Sequence, residues 1–182
     1  MDKKMDPQHL DLQTFARAGL ALSGEAALAD WPRLAFEQHG QEPAAGAVNW
    51  HLQGRVVAQA GAADQIWLDL RATVPLPMQC QRCLTMVMED VCAERSFRFV
   101  ADEATAAALD DESEEDILVL SRDFDALALV EDELILALPL VPLHAVCPEV
   151  LPTSVADPEF EAASERPNPF GVLAGLKTGV SK

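Results

Sequence analysis

The chain has 182 residues, enough for one domain with tails, and 49% of them are apolar, so a buried core is expected. Its 30 Asp and Glu residues against 13 Lys and Arg give a net charge of −17, which repels polyanions and excludes a generally basic nucleic-acid-binding surface. No apolar run reaches the roughly 18 residues of a membrane helix, and Met1–Leu12 lacks a signal-peptide pattern. With 4 cysteines, two of them in a CxxC pair, we expect a soluble cytoplasmic protein.

The N-terminal part of the chain predicts short helices only. Thr14–Arg17 fits a helical turn, and Ala26–Phe36 fits a short helix that is interrupted near Pro32. These segments contribute little to the prediction of the fold.

Period-two alternation then predicts three strands, at Val48–Ala58, Ile66–Val74 and Met86–Val100. Short connections between them favour an antiparallel meander over a βαβ unit. Pro75 and Pro77 are expected to weaken pairing beyond the second strand. The cysteine pair that follows should therefore lie at a hairpin end.

The C-terminal half begins with an acidic segment, 101–116, in which half of the residues are Asp or Glu; we favour a solvated loop or weak helix over an acidic arm that binds a basic partner. A strand at Ile117–Leu120 precedes a helix at Asp123–Leu138, with Asp123 as its N-cap and Pro139 after its end. Leu127, Val130, Leu134 and Leu138 share its apolar face, with Glu131, Asp132 and Glu133 mostly opposite.

Together these elements predict an α+β fold. Residues 1–150 are expected to form a single domain, an antiparallel meander or small curled sheet or barrel covered by the helix of the C-terminal half. Residues 151–182 read as a proline-containing tail with a short docking helix around Phe170, Leu173 and Leu176.

Cys80-Gln81-Arg82-Cys83 is the most informative motif, because a tight turn between two such thiols directs both at one ion. His144 and Cys147 would complete a closed Cys₃His site, structural rather than catalytic, and zinc is the metal such ligands suggest. Cys92 is an alternative fourth ligand. The other interpretation, two reduced thiols at a turn beside a loop histidine, is equally compatible with the sequence.

Several basic and aromatic residues are candidates for contact with RNA or a protein partner. Arg55, Arg71 and Arg98 fall on the polar side of their strands, whereas Arg95 is expected to have an internal partner. Trp67 is the aromatic residue expected to be exposed, and Trp50 is expected in the core. The full candidate set is Arg55, Arg71, Arg82, Arg98, Trp67, Arg166 and Phe170. An ordinary solvated sheet face is the alternative.

Enzymatic motifs are absent from the sequence: it has no P-loop, GxGxxG, HExxH or GxSxG pattern. A thioredoxin-like role for the CxxC pair is disfavoured, because strand-like residues rather than a helix follow it. We therefore expect a protein that is not an enzyme.

Cys80–Cys83, the segment Leu129–Pro139, His144 with Cys147, and Arg166–Leu173 together resemble the YceD family, the large ribosomal RNA subunit accumulation proteins of bacteria. The resemblance implies a role in the synthesis, processing or stability of large-subunit (23S) ribosomal RNA, without a known catalytic activity. The implied partner is this RNA or its precursor, contacted directly or through a basic ribosomal protein or processing nuclease; no membrane or small-molecule substrate is expected. The alternatives are an acidic zinc-stabilised adaptor that binds such a protein and, more distantly, a CxxC thiol-redox protein.

Overall fold

A five-stranded sheet organises the protein in the computed structural model, which describes residues 5–40, 46–61, 63–110, 113, 115–148 and 170–171. The elements in chain order are α1 (Leu12–Arg17), β1 (Ala21–Ala27), a 3₁₀ turn (Leu28–Asp30), α2 (Pro32–Phe36), β2 (Ala47–Val57), β3 (Gln65–Gln79), β4 (Met86–Val100), α3 (Glu103–Asp110), β5 (Asp116–Val119) and α4 (Ala126–Leu136). Two units are distinguished, Met1–Val146 and Cys147–Lys182, and every element named here belongs to the first. The predicted division into residues 1–150 and 151–182 stays a prediction, as does the docking helix, because most of that tail lies outside the described residues.

The strands follow one another in the order β1-β2-β3-β4-β5. Neighbours from β1 to β4 are antiparallel, as the meander prediction requires, whereas β5 lies parallel to β4 and pairs only with its last four residues, Phe97–Val100. The sheet is open rather than closed into a barrel. The α+β prediction is thus confirmed, with a mixed sheet.

The core lies on one face of this sheet. Alternate residues such as Leu52, Leu68 and Leu70 are fully buried there, and α1, α2 and α4 contribute the residues that cover them. Gly54 allows α1 to approach β2 closely, because a Cβ there would lie 2.8 Å from the Cα of Ala16. In the part of the chain described, no helix is long and apolar enough to cross a membrane.

The predicted helix at Ala26–Phe36 is wrong in its first half. Ala21–Ala27 forms an edge strand instead, and only Pro32–Phe36 is α-helical, with Pro32 in its first turn. The alanine-rich composition of β1 concealed it, because β1 contains no β-branched or aromatic residue to indicate a strand.

The expectation that Pro75 and Pro77 weaken pairing is wrong on the β4 side of β3, where pairing continues as far as Gln79. The reason is that β2 pairs with β3 only up to Thr73, so both prolines lie where one side of β3 has no β2 neighbour. The carbonyl of Pro77 accepts instead from the backbone N–H of His39 (2.7 Å).

Helix α4 begins later than predicted. Its N-cap is Asp125, whose carboxylate accepts from the Ala128 N–H (2.9 Å), whereas Asp123 bonds to the His9 ring (2.6 Å). Glu131 and Glu133, expected mostly on the helix face opposite the apolar residues, are only 6% and 7% exposed, so they do not form an exposed acidic face. The 101–116 segment forms α3 and the start of β5, with exposed acidic residues such as Glu103.

Candidate metal centre and sheet surface

The β3–β4 connection is a tight turn that begins at Cys80, in agreement with the predicted hairpin end. The Cys80 N–H donates to the carbonyl of Thr85 (2.9 Å), and the Leu84 N–H donates to the carbonyl of Cys80 (2.8 Å). Leu84 completes the turn with a φ of +60°, a left-handed conformation that is rare for a non-glycine residue. This geometry holds Cys80 and Cys83 on the same side of the turn.

The four predicted metal ligands come together at this turn. One ligand atom from each of Cys80, Cys83, His144 and Cys147 lies within 4.8 Å of the others. The Cys83 sulfur is 3.3 Å from His144 Nδ1, and the His144 N–H lies 3.5 Å from the Cys80 sulfur. A backbone bond from the N–H of Gln81 to the carbonyl of Pro142 (2.9 Å) fixes the loop that carries His144.

The histidine ring is oriented for coordination. His144 Nε2 lies 3.0 Å from the carbonyl oxygen of Met86, which can only accept, so Nε2 carries the proton. Nδ1 is then the ring nitrogen that faces the cysteine sulfurs and is available to a metal once it is deprotonated. Hydrogen bonding to Cys80 raises the pKa of His144 against the opposing effect of burial, and the nearby Cys83 thiol reinforces it.

The electrostatics favour a thiolate at Cys80. Burial raises the pKa of this thiol, but N–H groups of Cys83, His144 and Arg82 directed at the sulfur outweigh it and lower the pKa to about 5. Thiolate is the form that binds metal. A tetrahedral Zn²⁺ with bonds of about 2.3 Å to sulfur and about 2.05 Å to nitrogen places S and N roughly 3.5 Å apart. The 3.3 Å between Cys83 Sγ and His144 Nδ1 is close to that separation.

Cys92 does not belong to the cluster among the described residues. It lies within β4 opposite Thr73, with its side chain exposed on the other face of the sheet from the core. The alternative that Cys92 supplies the fourth ligand is therefore wrong for this arrangement.

Two of the predicted partner-binding arginines, Arg55 and Arg71, lie on the outer face of the sheet, opposite the core, and both are ion-paired. Arg55 bonds to both oxygens of Asp69 (2.7 and 3.1 Å) and stacks 4.5 Å from the centre of the Trp67 ring. Arg71 pairs with Glu94 at 2.5 Å. These pairs neutralise much of the positive charge that RNA contact requires.

Trp67 is not the exposed aromatic residue that the alternation predicted. It does lie on the outer face, but it is only 8% exposed, because Arg55 covers the ring and its Nε1–H donates to Gln65 (3.1 Å). Trp50 is half-buried and packs on the core, as expected. Arg95 has the predicted internal partner, the buried Glu133 at 3.3 Å.

The remaining candidates are dispersed. Arg98 is half-buried and lines a cavity of about 390 Å³ with residues of α3, Arg82 is exposed on the cysteine turn, and Phe170 is 70% exposed. Arg166 lies outside the described residues. The binding roles assigned to all seven residues stay predictions.

Sequence reasoning missed two parts of the centre. The Met86 carbonyl that fixes the His144 tautomer and the Pro142 carbonyl that anchors the loop are backbone groups. Every residue has a backbone carbonyl, so the sequence does not indicate which carbonyls take part in the centre.

The fold and site define an α+β protein with a four-residue cysteine and histidine cluster at a hairpin end. Residues 68–177 match the protein family described as "Large ribosomal RNA subunit accumulation protein YceD", and the chain belongs to this family. The protein of that same description from Haemophilus influenzae is 34% identical over 111 residues, which are 59% of this chain and 63% of the relative. The match thus spans less than two thirds of that relative's length. No solved structure gives a significant match.

Proposed function

We propose that this protein is a cytoplasmic, non-enzymatic ribosome-biogenesis factor that supports the synthesis, processing or stability of large-subunit (23S) ribosomal RNA. The observation that carries the proposal is the family match over residues 68–177, a family described by large ribosomal RNA subunit accumulation. The matched region contains all four residues of the cysteine and histidine cluster, together with β4 and α4.

Zinc is the proposed ion at the cluster. Three thiols and one imidazole are a donor set that Zn²⁺ prefers, and the Nε2–H bond of His144 to the Met86 carbonyl is the outer support typical of such sites. Four protein ligands leave no coordination position for water or substrate. The role of the ion is therefore to brace the cysteine turn against the loop that carries His144.

The metal proposal is tested on the purified protein by elemental mass spectrometry. We expect about one zinc per chain, loss of most of it in Cys83→Ser, and full retention in Cys92→Ser, a matched removal of a thiol outside the cluster. Chelation should lower the melting temperature of wild type and Cys92→Ser alike. A wild-type protein that holds no zinc after reconstitution would refute the assignment.

The cellular role is tested separately. In cells depleted of this protein, the ratio of large- to small-subunit ribosomal RNA should fall, and wild type or Cys92→Ser should restore it. The Cys83→Ser variant reports whether the metal centre is needed for that role. An unchanged ratio on depletion would contradict the function whether or not zinc is bound.

A second candidate is an acidic adaptor whose direct target is a basic ribosomal protein or an RNA-processing enzyme. The net charge of −17 and the pairing of Arg55 and Arg71 with carboxylates favour it over direct RNA binding. Crosslinking in cells, with both RNA and protein adducts identified, separates the two. Abundant RNA adducts on the sheet face would contradict the adaptor.

A thiol-redox protein is the third candidate, favoured only by the low pKa of Cys80, about 5. That pKa arises in a hairpin turn with a histidine and two further cysteines around it, an arrangement typical of metal binding. An insulin-reduction assay distinguishes them, since turnover by the zinc-free protein would support the redox function.

A further inference from the structure

Strand β4 has an open edge. On one side it pairs with β3 from Met86 to Phe99, and on the other side β5 covers only Phe97–Val100. Among the described residues, the stretch of β4 that precedes Phe97 therefore lacks a second neighbouring strand.

The prolines of β3 show which backbone groups face that edge. Pro75 and Pro77, opposite Asp90 and Met88, have no N–H, so these two pairs cannot be the hydrogen-bonded pairs of the ladder. The N–H and C=O groups of Met88 and Asp90 must then point away from β3, and the strand period of two extends this to Cys92 and Glu94. The carbonyl of Met86 agrees, because it bonds to His144 on that side.

This edge carries acidic side chains but lacks two other common forms of edge protection, proline and lysine. Beyond its pairing with β2, strand β3 carries two prolines, which is a common way to block strand addition, whereas Met88–Glu94 contains neither proline nor lysine. Met88, Asp90, Cys92 and Glu94 are all exposed, and a shallow cavity of about 290 Å³ lies across β3 and β4 beside Asp90 and Cys92. In the described part of the chain, no strand therefore pairs with the outward-facing backbone groups of this edge.

The negative charge of this edge indicates what kind of partner it binds. Glu89 and Asp90 lie within this short stretch of a protein that already carries −17, whereas Glu94 at its end is paired with Arg71. A second copy in antiparallel register would bring these acids close to their own equivalents, which is unfavourable, and RNA would be repelled. A segment rich in lysine or arginine is complementary.

We propose that the β4 edge from Met88 to Glu94 binds an extended basic segment of a partner protein as an additional strand of the sheet. Backbone hydrogen bonds supply affinity in this mode, and alternate side chains of the added strand lie on the two faces of the sheet. The proposal stands independently of zinc binding and of the role in ribosomal RNA accumulation.

The competing edge is β1, which is shorter and contains Gly24 at its centre. By the same alternation, the backbone groups of Trp50 in β2 face β1, where Trp50 is opposite Gly24. Gly24 therefore bonds to β2, and the N–H of the next residue, Glu25, points away from β2 towards the open edge. Glu25→Pro is therefore a matched control for Cys92→Pro. Each change removes one N–H from one open edge without removing a ladder hydrogen bond.

The probe is a fluorescent peptide in which lysine alternates with valine, long enough to span Met88–Glu94, titrated against the full chain by fluorescence anisotropy. We expect binding that weakens about tenfold or more in Cys92→Pro and when alternate peptide amides are N-methylated, but not in Cys92→Val or Glu25→Pro. Asp90→Lys should weaken binding, most strongly at low salt.

Hydrogen exchange supplies a readout that needs no variant, which covers the case that Cys92→Pro fails to fold. Bound peptide should protect the amides of Met88, Asp90, Cys92 and Glu94 from exchange. The proposal is overturned if the peptide does not bind, if protection maps to β1 or another surface, or if Cys92→Pro folds and binds like wild type. Dimerisation through this edge, or displacement of the peptide by single-stranded RNA, would also overturn it.

Discussion

Glu131 of α4 is predicted to stabilise the fold by holding α2. Its side chain is 8% exposed, and Oε1 accepts from the backbone N–H groups of both Arg33 (2.8 Å) and Leu34 (3.1 Å). Oε2 accepts from Arg33 Nε (2.9 Å). One carboxylate therefore caps the first turn of α2 and joins that helix to α4, a task for which α2 has no side-chain cap of its own.

The size of the expected loss of stability follows from the hydrogen-bond donors that Glu131→Ala would leave without an acceptor. Glu131→Ala strands two N–H donors, of which that of Leu34 is buried, and each lost bond to a charged acceptor is worth about 1.5–3 kcal/mol. Partial rehydration of the Arg33 N–H reduces the sum, so the free energy of unfolding should fall by about 3–4 kcal/mol. Glu131→Gln keeps one acceptor oxygen and should cost roughly half as much.

Urea unfolding followed by circular dichroism measures these changes, and Asp132→Ala is the matched control. Asp132 is the next residue of the same helix and pairs with the same Arg33, but its side chain is 49% exposed, so its loss should cost less than about 1 kcal/mol. If Glu131→Ala cost no more than Asp132→Ala, the capping argument would be refuted.

Two further predictions concern the core. Burial raises the pKa of Glu133, against the opposing effect of its arginine partner. The protonated carboxyl therefore stabilises the fold. This stabilisation is complete at pH values below the ordinary pKa of 4.5 and is lost as the pH rises above the raised pKa. Glu133→Gln should therefore raise the urea midpoint at neutral pH and lose that gain towards pH 4.5; a gain that grows on acidification would contradict this. Gly54→Ala should cost about 1–3 kcal/mol, because the new Cβ would meet the backbone of Ala16 at 2.8 Å. Gly24→Ala should cost less, since the Cβ meets only the half-buried ring of Trp50, which can turn aside; equal midpoint losses in the two variants would contradict the distinction.

The parts of the fold that the sequence predicted are those governed by local pattern. Strands β2, β3 and β4 bury roughly every second side chain, so apolar and polar residues alternate along their sequences and reveal the strands. The cysteine and histidine cluster was predictable because few residue types bind soft metals and a two-residue spacing implies a turn.

The parts that it missed depend on distant neighbours. Glu131 and Glu133 look solvated on a helical wheel, and they are buried only because Arg33 and Arg95 approach from α2 and β4. Strand β1 consists mainly of small residues, and its pairing with β2 supplies the stability that its composition lacks. Trp67 was expected to be exposed because a sequence does not reveal that Arg55 lies over its ring.

The distribution of charge connects the surface to its expected partners. On the outer sheet face, Arg55 and Arg71 are each matched by a carboxylate, so a phosphate group there would compete with those carboxylates for the two arginines. On the β4 edge, by contrast, Asp90 has no ion pair with any described residue and lies beside backbone groups that still need partners. A basic protein segment satisfies the charge and the backbone together, whereas a phosphate backbone could accept from the N–H groups but is repelled by the acidic side chains. The charges of the described surface therefore support the proposed acidic adaptor more than the proposed direct binding of RNA.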